Sequence, residues 1–315
     1  MRKILLSAAC LFTGMVSYAQ QDYQFSQYMF DRLSINPAYA GIDNKICATG
    51  FFRQQWAGFT GAPSTFLFNA HGPVKMLHGG LGLSLYSDKI GFFNNFSARL
   101  NYSFHQPVKG GILGGGISIG FMNVSLNPQW VAITDPSLDN AIPNNGASYS
   151  QGSYDIGLGV YYKANDWYAG LSATHLTETD LKNLNVKNVR HYYLMGGYDW
   201  TLPSNADFMI RPSMRLESDA TSTQVDINAN VLWRNMFWGG LSYRIKDAIV
   251  PMLGYQQAIG DPKKMPGMIK IGYSYDVTTS EIKNYSKGSH EFMVSYCFNV
   301  VPVPTLQKSK TVRFL

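Results

Sequence analysis

Charge is what this sequence has least of. Asp, Glu, Lys and Arg make up 15% of its 315 residues, against roughly 25% in an ordinary soluble domain. Lys and Arg are scattered singly, so the net charge of +6 gathers into no basic run of the kind that grips nucleic acid, and nucleic acid is excluded as a partner. Long apolar runs are missing too. Beyond residue 20 there is no stretch of about 18 consecutive apolar residues, which excludes a transmembrane helix. Such a chain crosses a membrane only as a closed barrel. Metal-ligand spacing is also lacking: His71, His78, His105, His175 and His191 form no H-E-x-x-H or close pair. Asp135, Asp139 and Asn140 lack the EF-hand spacing. No metal or cofactor is expected.

One enzyme-like string occurs, Gly116-Ile117-Ser118-Ile119-Gly120, of the form G-x-S-x-G. A nucleophile elbow needs a strand, a sharp turn and a helix, whereas residues 121–124 continue a strand pattern. Ser118 therefore reads as a lumen hydroxyl, no catalytic residue is expected, and a barrel lipase is the weakest of three functional readings.

Cysteine is nearly absent, 3 in all. Residues 1–19 read as a signal peptide: Arg2 and Lys3, an apolar run over 4–16, then Ser17, Tyr18 and Ala19 before the cut. Cys10 lies too early for a lipoprotein signal and is removed by cleavage. Cys47 and Cys297 remain, in the first and last candidate strands. Two lone cysteines are read as unpaired small apolar residues, with a staple between the chain ends left open.

What the sequence has in plenty is glycine (30), tyrosine (20) and phenylalanine (18), set in short alternating runs. Phe96, Ala98, Leu100, Tyr102 and Phe104 alternate with Ser97, Arg99, Asn101 and Ser103. The same period of two recurs over 207–218, 222–234 and 267–276. Aromatics gather at the ends of the apolar faces, and the runs last about 9 to 13 residues, the tilted bilayer span. The expected fold is all-β: a transmembrane antiparallel β-barrel of about 14 strands, at 46–56, 64–73, 78–87, 94–105, 110–124, 154–164, 166–175, 190–200, 207–218, 222–234, 236–244, 248–256, 267–276 and 288–298. An even count puts both barrel ends in the periplasm and the odd connections outside. The longest of these are 125–153 and 176–189. The barrel spans 46–298, with an N-terminal periplasmic segment at 20–45 and a periplasmic tail at 299–315.

The N-terminal segment holds the most specific string, "QFSQYMFDRLSINPAYAG" over 24–41. With the strand pattern behind it and "KTVRFL" at the end, it resembles the PorP/SprF family of type IX secretion system membrane proteins of the Bacteroidetes. The match lies in Gln24, Phe25, Ser26, Gln27 and Tyr28, and in Asn36, Pro37, Ala38, Tyr39, Ala40 and Gly41; residues 31–34 are looser. The resemblance implies a non-enzymatic component of the cell outer membrane. It implies work with secretion-machinery subunits and with a secreted surface adhesin, in gliding or attachment, within outer-membrane lipid. The alternative is a diffusion or uptake channel for small solutes, with Arg99, Arg211, Arg215, Arg234, Arg244 and Lys270 either open to water or paired with Asp155, Glu217, Asp226, Asp276 and Glu291 across a closed interior. Asn36-Pro37 forces an extended-then-turn path, and Phe25, Tyr28, Phe30 and Tyr39 supply rigid surface. Residues 20–45 are accordingly expected to lie in or across the periplasmic mouth as a plug or docking lip, with the quoted residues and Phe30 meeting the partner.

Overall fold

The computed structural model describes residues 19–20, 22–127, 148–184, 186–260 and 266–299. Alternation of apolar and polar side chains, bounded by Gly, Asn and Asp turns, produces fourteen long strands. They are β1 (Lys45–Gln54), β2 (Ser64–Val74), β3 (Gly79–Ile90), β4 (Phe93–Val108), β5 (Gly111–Leu126), β6 (Tyr149–Ala164) and β7 (Trp167–Thr174), followed by β8 (His191–Tyr198), β9 (Phe208–Ser218), β10 (Thr223–Trp233), β11 (Phe237–Arg244), β12 (Ala248–Ile259), β13 (Gly267–Thr278) and β14 (Ser289–Asn299). Each pairs antiparallel with the next, β8 pairs with β9, and β14 closes on β1 through pairs running from His290–Gln54 to Asn299–Lys45. No edge is left in the closed ring.

The two faces carry opposite chemistry. Leu100, Leu171 and Leu253 point outward and are 67%, 60% and 63% exposed, while Arg53, Arg244 and Glu291 point inward and are 1%, 2% and 0% exposed. Lipid is the solvent that makes such an outer face stable. Aromatic pairs ring both rims: Tyr162–Trp167 and Phe237–Tyr255 at the end where β1 begins, Phe121–Tyr154 at the other. The β1-start end carries the tight turns at 109–110 and 165–166 and is the periplasmic end; the opposite end carries the 175–190 connection and is the external one.

Most strands fall where alternation placed them, but β5 and β6 run past the expected limits to Leu126 and Tyr149. There the outward-facing pairs turn polar, as in Asn123–Gly152 and Ser125–Ser150, while Met122 and Val124 on the inner face stay buried. The apolar signal stops at the bilayer while backbone pairing continues beyond it. Residues 128–147, with Asp135, Asp139 and Asn140, lie outside the described residues, as do residues 1–18 of the expected signal peptide (1–19) and 300–315 of the expected tail (299–315).

Cys47 and Cys297 are opposite each other on β1 and β14 and are disulfide-bonded, with 4.1 Å between their Cα atoms. This corrects the reading of them as unpaired. The β1–β14 register, formed only when the barrel closes, brings together residues 250 positions apart, and sequence spacing carries no trace of that.

Candidate functional site

Residues 22–44 run inside the barrel along its length, from the external end down to β1. The segment was expected in or across the periplasmic mouth; it enters β1 at that end and extends through the lumen to the other. Ala19–Gln20 pair in parallel with Lys187–Asn188, a short strand of the external connection between β7 and β8. Polar lumen walls accept a polar backbone where lipid would not, so an irregular segment can be buried there.

At the external end, Asp22 accepts hydrogen bonds from the Tyr193 hydroxyl at 2.6 Å and from His175 Nε2 at 3.1 Å. The other ring nitrogen of His175 faces Asp155 at 3.2 Å. His175 lies just after β7. Burial works against its charge, but the two carboxylates outweigh burial and push its pKa up to about 9. Asp22, His175 and His191 could also bring ligand atoms within 4.8 Å of one another. Hydrogen bonds already account for them, since His191 Nδ1 pairs with the Val189 carbonyl at 3.0 Å.

One level down, the first sequence block locks onto a belt of charge. Ser26 N donates to Glu291 at 2.7 Å, Gln27 N to the same carboxylate at 2.8 Å, and Ser26 Oγ to Asp276 at 2.7 Å. Arg53 bridges Asp276 (2.6 Å) and Glu291 (3.0 Å) and donates to Ser26 Oγ at 2.9 Å. Arg244 joins Asp226 to Asp276, and Arg215 completes the belt on Asp226. Phe25 packs on Phe51, and Tyr28 lies beneath the Arg215 guanidinium. Asp31 then accepts from Asn69 at 2.6 Å and from Ser34, and Arg99 donates to the Ser34 carbonyl at 3.0 Å.

The second block lies on glycine. Asn36 caps a 3₁₀ turn over Pro37–Tyr39, accepting from Ala38 N, and its amide donates to the carbonyls of Val160 (3.0 Å) and Leu171 (3.3 Å). Proline suits the first position because no N–H is needed there. The backbone approaches β5 and β6 so closely that a Cβ on Gly116 would stand 2.3 Å from Ala38 N, and one on Gly159 would stand 2.1 Å from Asn36 Oδ1. Glycine is required at both for close approach. Ser103 donates to the Ala38 carbonyl, His105 pairs with the Ala40 carbonyl, and Gly41 N donates to His71. The G-x-S-x-G string is thus part of this bed, with Ser118 buried within unbroken β5.

Phe25, Ser26, Gln27, Tyr28, Asn36, Pro37, Ala38, Ala40 and Gly41 are therefore buried against the wall, while Gln24, Phe30 and Tyr39 are half-buried. Of the residues read as either open to water or paired across a closed interior, Arg99 pairs with Asp155, Arg215 with Asp226 and Glu217, and Arg244 with Asp226 and Asp276. Glu291 is taken by Arg53, Arg211 meets Asp199 at the rim, and Lys270 forms no ion pair with any described residue. Arg234 instead sits at the periplasmic rim with Asp207. Arg53 was missed. Its parity with Cys47, Thr49 and Phe51 on β1 was the available signal, since all four are inward.

The sequence of residues 17–296 matches the family described as type IX secretion system membrane protein PorP/SprF. The chain belongs to that family. It is an outer-membrane barrel. Among solved structures it is similar to the TodX deltaS2S3 mutant, a monoaromatic hydrocarbon channel (11% identity, TM-score 0.50, covering 91% of this chain and 97% of that one). It is similar also to the toluene transporter TodX of Pseudomonas putida (12%, 0.48, 89% and 95%) and to a FadL homologue of Pseudomonas aeruginosa (11%, 0.48, 84% and 92%). At such identities the likeness speaks for the fold alone. No curated protein matches the sequence.

Proposed function

We propose that this PorP/SprF protein is a closed, non-enzymatic component of the type IX secretion apparatus that helps export or anchor a partner surface adhesin and does not conduct solutes. The observation that carries this reading is the lumen-filling segment. Residues 22–44 are hydrogen-bonded to the wall at the external end through Asp22, Ser26 and Gln27, and near the periplasmic end through Asn36, Ala38 and Gly41. In this reading 20–45 is a plug that braces the barrel from within. A partner then meets the rims and connections, and of the quoted string Gln24, Phe30 and Tyr39 keep partial access. The connection at 175–190 offers less than its length suggests, because Leu181 and Leu184 are buried against Met122 and Val124.

The test is capture of the tagged full chain from gently solubilised outer membranes, with mass spectrometry of what accompanies it, alongside planar-bilayer recording of the purified barrel. Recovery of secretion subunits and a large surface adhesin, with no discrete conductance steps, is the expected outcome. A conducting barrel without companions transfers the assignment to the diffusion channel.

A further inference from the structure

Below the segment the lumen is not filled. A cavity of about 430 Å³ opens among the periplasmic turns, and its inner wall is made by the segment itself through Met29, Phe30, Arg32 and Tyr39. That volume lies within the range of small-ligand sites, which combine apolar walls with a few placed polar groups. Aromatic side chains form part of its wall: Phe30 lies against Trp238 at 4.9 Å between ring centroids, and Tyr168 also lines the cavity.

The charges that line the cavity do not balance. Asp43 is tied to Lys163, and Asp199 to Arg211 at the rim. Arg32 and Lys270 form no ion pair with any described residue. The Arg32 guanidinium lies 3.8 Å from the Tyr168 ring centroid and donates to the Met29 carbonyl and the Tyr161 hydroxyl; Lys270 Nζ stands 5.7 Å from the Phe30 centroid. Cations outnumber carboxylates in the lining, Arg32, Lys45, Lys163, Arg211 and Lys270 against Asp43, Asp166 and Asp199, which differs from the other end, where Arg53, Arg215 and Arg244 are each ion-paired. Arg32 and Lys270 are both half-buried and so partly stripped of water, which is costly for a charge without a counter-charge, and a bound anion relieves that cost.

We propose that this cavity is a binding site, open to the periplasm, for a carboxylate carried on an aromatic group. The carboxylate sits between Arg32 and Lys270, and the ring lies against Trp238 and Tyr168. Two sources carry that chemistry, a small aromatic acid and the free end of a peptide that finishes in an aromatic residue. Barrel closure is shared with the reading above, but the adhesin is not, so failure here leaves the capture experiment untouched.

Calorimetric titration of the purified full chain in nonionic detergent tests the site with three probes: phenylacetate, the dipeptide Gly-Phe, and Gly-Phe amide. At least one acid is expected to bind, and the amide to bind no better than about tenfold more weakly than Gly-Phe, a difference of about 1.4 kcal/mol. Tighter binding of phenylacetate identifies a small solute, and tighter binding of Gly-Phe identifies a peptide end. Lys270→Met keeps length and apolar bulk and is expected to weaken either acid about tenfold. Failure of both acids to bind, or a variant that folds and binds both as well as the original, overturns the proposal. If phenylacetate does not bind, equal binding of Gly-Phe and its amide overturns it as well. The binding of the three probes to the original protein needs no variant, so failure of both acids to bind still overturns the proposal if Lys270→Met does not assemble.

Discussion

The two ends of the lumen are built from the same residue types and used in opposite ways. Toward the outside, arginines and carboxylates from β1, β9, β10, β11, β13 and β14 meet around Ser26 with every charge matched and the side chains almost fully buried. Toward the periplasm, Arg32 and Lys270 line a recess without an ion pair of their own, its carboxylates Asp43 and Asp199 being tied to Lys163 and Arg211. A buried charge network fixes a unique geometry at high desolvation cost, so it suits a lock. Unmatched cations beside aromatic walls leave interaction capacity unspent, which suits a site. One short segment divides the two, because its Ser26 end completes the lock and its Arg32 end supplies the wall of the recess.

The sharpest way to break that contrast is to unbalance the lock. Arg53→Met strands Glu291 and leaves Asp276 with Arg244 alone, and loss of one member of a buried pair costs about 3–5 kcal/mol. Urea unfolding of the refolded barrel in vesicles is expected to show a drop of that size, with Ser26→Ala losing about 1 kcal/mol for its hydrogen bonds. At the other end the Cys47–Cys297 bond faces the cavity and joins the first and last strands. Closing so long a loop stabilises by about 2–4 kcal/mol. Cys47→Ser, or reductant on the intact protein, is expected to lower the unfolding midpoint accordingly while leaving Ser26 in its lock.

How far the sequence could be read follows the same division. The barrel wall was legible because lipid imposes a period of two on every strand: Phe96, Leu100 and Phe104 announce their face without help from any neighbour. The charge belt was partly legible, since the inward parity of Arg215, Arg244, Asp226, Asp276 and Glu291 can be counted along each strand. Their partners cannot be counted, because those depend on which strands stand opposite across the lumen. The course of the segment was the least legible. Its aromatics and its Asn36-Pro37 turn say that it buries itself, but the bed it needs is written elsewhere, in glycines such as Gly116 and Gly159 whose meaning appears only when β5 and β6 lie beneath Ala38 and Asn36. The disulfide was legible only as an open possibility, from the places of Cys47 and Cys297 in the first and last strands.

That bed allows a milder test. Gly159→Leu places side-chain atoms where the Asn36 amide lies, and overpacking of this kind costs about 1–3 kcal/mol. Lifting the segment at Asn36 also disturbs the wall formed by Arg32 and Tyr39. Greater protease cleavage within 30–44 in the folded variant is the expected outcome, with the Ser26 end still protected. Cleavage that spreads evenly through 22–44 would mean the two ends are not separately held, and the contrast between lock and recess would fail.

The smallest expected effect lies at the external tip. His175, set between Asp22 and Asp155, is a base whose pKa rises on folding from the ordinary histidine range of about 6.5 to about 9. Its contribution is therefore full below pH 6.5 and is lost as the pH climbs through 9. His191 and Arg99 stand near the same carboxylates, and Arg99 keeps its charge throughout that range, so the titration belongs to the imidazole. An epitope placed between Gln20 and Asp22 is expected to be reachable by antibody on intact cells, because the segment starts beside the external connection. Hydrogen exchange at Asp22 and Tyr23 in the unmodified purified protein is expected to stay slow near pH 7 and, after correction for intrinsic chemistry, to quicken above about pH 9. His175→Asn removes that step but leaves the lock at Ser26 unchanged. An epitope reachable only after the outer membrane is opened would invert the barrel's orientation, and would place the lock, not the recess, toward the periplasm.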